Sequence, residues 1–199
     1  MNASNSSGTS DNRLLINLNS GFAVIGCAAA LSNVILILVT RAYRQYIHRL
    51  QLYLAIVCFV LGLETLTVTT DTNGVEGGKW NDACAAIGYI GQHFGFSETF
   101  CIIWICIYVF MLAIFQNQQL RQLKYEILGL VIVFALPAAL AWVPLLHRSY
   151  GLVGIWCWFK ESPDELNVVY RLVFSHGSGI LFHAISIILL SAVVVRLCK

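Results

Sequence analysis

Six polar side chains stand inside long apolar runs, where hydrocarbon is expected: Glu64, Gln92, His93, Glu98, His176 and His183. An ionisable group in such a run is costly, and it marks a functional site by default. The chemistry open to this set is hydrogen bonding, charge pairing and contact with a ligand. Glu98 lies fourteen residues beyond Cys84, roughly 21 Å along a helix, and His183 lies thirteen beyond Tyr170. The similar depths suggest a Glu98–His183 pair; the alternative is a protonated Glu98 bonded to a backbone carbonyl, a Ser or a Thr. Gln92 and His93 share a depth with His176, and Glu64 comes near the mouth of its run. Together they line either a polar cavity or a helix-packing network held by side-chain hydrogen bonds. His176, Gly179, His183 and Ser186 follow helical spacing, so they share one face, expected to turn away from lipid.

Other chemistries lack their residues. Two His seven apart have no third ligand, so no metal is expected. There is no phosphate loop, no HExxH and no nucleophile elbow. Ser175, His176 and Ser178 offer no positioned nucleophile with an oxyanion hole. The expectation is a protein that is not an enzyme and needs no cofactor.

The elements that must carry these residues are membrane helices. Of 199 residues, 58% are hydrophobic and 11% charged, against about 25% charged in a soluble domain. The excess falls into separate runs long enough to cross a bilayer. The expected spans cover about 19–40, 50–70, 84–115, 125–146 and 167–197, which makes an all-α polytopic bundle over 19–199 behind a tail of residues 1–18. The lipid bilayer is thus the first partner. A net charge of +2 and the lack of a basic stripe argue against nucleic acid. Span three exceeds the bilayer thickness and must tilt or protrude. Its Gly88, Gly91 and Gly95 form a small-residue groove for a close neighbour. Pro137 interrupts span four, which membrane helices tolerate.

Charge sets the orientation. Arg41, Arg44, Arg49, Arg121, Lys124, Arg196 and Lys199 share one side with a single acid, Glu126. By the positive-inside rule that side is cytoplasmic, so the N-terminus is extracellular. The tail agrees, with N-glycosylation acceptors at Asn2 and Asn5. The run after Arg13 is too long for a cleavable signal and should remain as span one. Of seven cysteines, five lie in or at the ends of apolar runs; Cys84 and Cys157 fall on the outer, oxidising side.

An extracellular N-terminus, Cys84 at the mouth of span three and Cys157 between spans four and five together resemble a G-protein-coupled receptor. Asn33, followed by a basic loop and LQLYLAIVC, is similar to the receptor segment joining helices one and two. Trp80 lies four residues before Cys84. The triplet Trp156-Cys157-Trp158 in GIWCWF is similar to that of cyclic-AMP-receptor-like proteins, and the Cys-Trp pair also occurs in the secretin and adhesion branches. The resemblance covers five of the usual seven helices. It departs from the commonest branch at Cys58, where an Asp would stand, and at FQNQQLRQL, where Asp-Arg-Tyr would stand.

The resemblance implies a plasma-membrane protein that binds an extracellular ligand and signals to a heterotrimeric G protein. It implies a Cys84–Cys157 disulfide, and no other outer cysteine competes; the alternative is two unrelated thiols. Trp156 and Trp158 would lid the ligand cavity or simply sit at the membrane interface. The competing expectation is a truncated or non-signalling five-span protein that pairs with other receptor chains or scaffolds membrane proteins.

Overall fold

A computed structural model describes residues 7–71, 80–115, 123–153, 156–160 and 165–198. Among them, five helices are long and apolar enough to cross a membrane. The chain is a multi-pass, all-α membrane bundle. The expected acceptors Asn2 and Asn5 lie outside the described residues, as does the side chain of His176.

Span one is the helix Ser7–Val39, so helix begins well before residue 19, inside the stretch read as a tail. Adding residues to an existing helix needs no new nucleus, so polar residues extend one that apolar residues have already formed. A 3₁₀ turn at Ala42–Arg44 follows, with Arg41 in the left-handed region at φ 54°. This tight reversal returns the chain as span two, Tyr46–Asp71, packed along span one.

Span three, Trp80–Phe115, is the hub. It packs against spans two, four and five and against both strands of a hairpin. Span four runs from Leu123–Leu130 through a π-helical segment, Val131–Ala135, into Leu136–Leu146. Pro137 cannot donate to the carbonyl four residues earlier, and the widened turn ahead of it absorbs that break. Span five likewise passes from Glu165–Tyr170 through a π-helical segment, Arg171–Gly177, into Ser178–Leu197. The widened turn brings the Leu172 carbonyl within 2.8 Å of where a Cβ on Gly177 would stand, so only glycine fits without a shift.

Between spans four and five, outside every expected span, lies a hairpin: β1, Tyr150–Val153, pairs antiparallel with β2, Trp156–Phe159. The sequence sign is only aromatic enrichment, common in strands; Trp-Cys-Trp-Phe has no polar alternation, and its exposed–buried pattern appears only in the structure. Tyr150 stacks on Phe159 at 5.2 Å, and Phe159 on Tyr170 at 6.2 Å. These three rings are buried against Ala85, Tyr89, Leu145 and Phe174. Each contributes about 1.5–3 kcal/mol by leaving water, enough to seat a short hairpin on the ends of three spans. The bundle thus has a hairpin end and, opposite it, a basic end carrying Arg44 and Arg49.

Candidate functional site

The site is built on span three beneath the hairpin. The Cys84–Cys157 disulfide ties β2 to the first turns of that span, with the Cα atoms 5.1 Å apart. Gly88 then allows contact: a Cβ there would stand 3.1 Å from both the Cys157 carbonyl oxygen and the Tyr150 ring. Tyr150 donates its phenol to the Ala141 carbonyl at 3.1 Å, linking hairpin and span four. Burial pushes that phenol well above its usual range, so it remains a donor.

Under this roof is a cavity of about 290 Å³. Its walls include Glu64 of span two, Gln92 of span three, Trp156 and Trp158 of β2, and Phe174 of span five. Its floor runs along Gly91, Gly95, Phe96 and Thr99. The glycine stripe therefore serves the hairpin and the cavity rather than a helix backbone. Gly91 faces the Glu64 carboxylate, where a Cβ would come within 3.2 Å of Oε1, whereas a Cβ on Gly95 would meet nothing within 4 Å.

Gln92 spans the cavity. Its Nε2 donates to the Phe174 carbonyl at 3.0 Å, and its Oε1 accepts from Trp158 Nε1 at 3.2 Å. The π-helical turn of span five frees that carbonyl from regular helix bonding, a common use of such turns at functional sites. Both ends of the amide are occupied, and Trp158 is held in place. Glu64 differs: among the described residues no cation and no hydrogen-bond donor reaches its carboxylate.

His93, Glu98 and His183 do not line the cavity. His93 turns to span four, towards the Pro137 carbonyl, and stacks on Tyr89 at 6.2 Å. Its Nδ1 and, one turn on, the Ser97 hydroxyl are buried without partners among the described residues. Glu98 meets span two, where the Cys58 thiol donates to its Oε1 at 3.9 Å. His183 points out of the bundle and bonds the Gly179 carbonyl of its own helix at 2.7 Å. The Glu98–His183 pair does not form. Span five instead meets span three through Phe174 on Phe96, at 5.9 Å, and Phe182 on Phe100, at 5.0 Å. Adjacent residues point about 100° apart on a helix, so Phe182 facing inwards turns His183 away.

At the basic end the sequence reading missed a polar lock. Arg49 holds Glu126 through two bonds, Nε to Oε1 at 2.6 Å and Nη2 to Oε2 at 2.7 Å. Tyr53 adds a third donor to Glu126 at 3.3 Å. Trp104 donates its indole N–H to the Tyr46 hydroxyl at 2.8 Å. Gly129 of span four leaves room for that pair, since a Cβ there would fall 2.5 Å from Trp104 Nε1. A second cavity, about 590 Å³, opens beside this lock and is lined by Arg44, Tyr46, Arg49 and Tyr108 among others.

No family model matches the chain, and no curated protein is significantly similar to it. Among the described residues no cluster of His, Cys, Asp and Glu is placed to hold a metal ion.

Proposed function

We propose that this chain is a cell-surface protein similar to G-protein-coupled receptors, with its N-terminus and hairpin outside the cell. It recognises an extracellular ligand in the cavity beneath the hairpin and passes the event to a G protein. One observation carries the reading: a disulfide-anchored aromatic roof covers a cavity whose carboxylate, Glu64, has no partner among the described residues. An internal packing network would use that group; a ligand site leaves it for the ligand. The excess of Lys and Arg at the opposite end supports the orientation. A ligand that favours one packing of span five against span three would shift the bundle between two states. Gln92, bonded to the hairpin and to the π-helical turn of span five, is the element that couples cavity to helix.

The test is nucleotide exchange on heterotrimeric G proteins in membranes of cells displaying the chain at their surface. The reading expects exchange above that of untransfected membranes. Exchange at background, with the chain folded and surface-displayed, overturns it.

A second reading is a non-signalling partner of other membrane proteins. It is favoured by the outward face of span five, where Ile180, Leu181, Ile187 and Ile188 are all exposed. Cross-linking from Ile187→Cys in native membranes would then capture a second chain.

A further inference from the structure

We infer that the cavity beneath the hairpin takes a small protonated amine with an apolar or aromatic body, and that Glu64 is its counter-ion. The inference rests on the proposed ligand-binding reading and names the ligand class. A carboxylate within a membrane span is costly unless a proton or a cation neutralises it. Among the described residues no Arg, Lys or His lines this cavity, so none of them supplies a cation to Glu64. For the same reason the described lining offers an anionic ligand no positive charge.

The other walls suit a cation too. Trp156, Trp158, Phe96 and Phe174 surround the same space. Aromatic faces attract ammonium groups, most strongly when water is excluded. Gln92 fixes the Trp158 indole through its N–H, and both ends of the amide are thereby used. The amide does not compete with Glu64 as the polar anchor. Gly91 completes the arrangement, because its missing side chain lets the Glu64 carboxylate lie against span three inside the cavity. A cavity of about 290 Å³ is at the small end of ligand pockets, about 300–1,000 Å³. It admits a single-ring amine and excludes a peptide.

The test uses the full chain in lipid nanodiscs, with binding read by the intrinsic fluorescence of its tryptophans. The probes are 2-phenylethylamine, tetramethylammonium, and the uncharged 2-phenylethanol and anionic phenylacetate. The expected result is that 2-phenylethylamine binds about tenfold more tightly than 2-phenylethanol, with phenylacetate weakest. Glu64→Gln should abolish the preference for the cation while leaving the alcohol unchanged. Gly91→Ala, which crowds the carboxylate without removing it, should weaken the amine and tetramethylammonium together. Equal affinities for amine and alcohol, or a preference that survives Glu64→Gln in a variant melting like the parent, would overturn the inference. Tighter binding of phenylacetate or 2-phenylethanol would also overturn it, yet leave the receptor reading standing. Amine binding without nucleotide exchange would sink the signalling reading and keep this one.

Discussion

The two ends of the bundle treat their carboxylates in opposite ways. At the basic end Glu126 receives two bonds from Arg49 and one from Tyr53, so its charge is fully engaged. Arg49 also donates to the Tyr43 and Arg44 carbonyls, which fastens the turn between spans one and two to span four. At the hairpin end the polar groups of the roof are paired, but the Glu64 carboxylate is not, among the described residues. Both acids sit on helices of similar apolar character, so composition does not explain the difference. Partners do. An acid with a matching Arg holds helices together; an acid facing a cavity lined by aromatic rings holds none, and in the proposed function it is left for a ligand.

This contrast can be broken experimentally, and the largest effect is expected at the roof. The Cys84–Cys157 bridge spans 73 residues, and removing it through Cys157→Ser should cost about 4 kcal/mol by loop-closure entropy. Thermal unfolding in nanodiscs checks this, and an unchanged melting temperature would show that aromatic packing alone seats the hairpin. Next comes the lock. Arg49→Ala leaves Glu126 with an uncompensated charge and should cost about 2–3 kcal/mol, at the low end for a pair still partly open to solvent. Replacing both as Arg49→Met with Glu126→Leu should recover most of the loss. If the double variant is as unstable as the single, the lock works by packing rather than by charge.

Smaller effects sharpen the picture. Gly129→Ala drives a methyl into the Trp104–Tyr46 pair and should cost about 1–3 kcal/mol. The resulting separation of span four from spans two and three would be read as faster amide exchange at the basic end alone. Gly91→Ala should hardly change stability, since the carboxylate it meets is the movable end of a side chain. Its expected effect is on the proposed amine binding.

How far the sequence foretold this arrangement depends on which coordinate is asked for. Position along each helix was legible. Apolar runs gave five spans, charge gave a basic end, and the cysteine positions anticipated the disulfide. Direction around each helix was only half legible. Gln92 and Glu64 were read as part of either a cavity or a packing network, and they line a cavity, as do Trp156 and Trp158. His93, one residue beyond Gln92, faces span four instead. Glu98 lies seven residues beyond Gly91, on the same face, and that face meets span two, as the Glu64 and Cys58 contacts record. Spacing alone reveals which residues share a face, not which neighbour the face meets. The π-helical turns escaped for a related reason. They shift the register of spans four and five, so helical counting from one end drifts off the true face. The Arg49–Glu126 lock joins residues 77 apart, and its one sequence signal was the isolation of Glu126 among basic neighbours.

The most direct measurement compares two conservative neutralisations, Glu126→Gln and Glu64→Gln, by thermal unfolding of the chain in the same nanodiscs. The account predicts that Glu126→Gln lowers the melting temperature by several degrees, while Glu64→Gln leaves it unchanged or raises it. A loss in Glu64→Gln as large as that in Glu126→Gln would contradict the account, because Glu64 would then be part of the structure rather than open to a ligand.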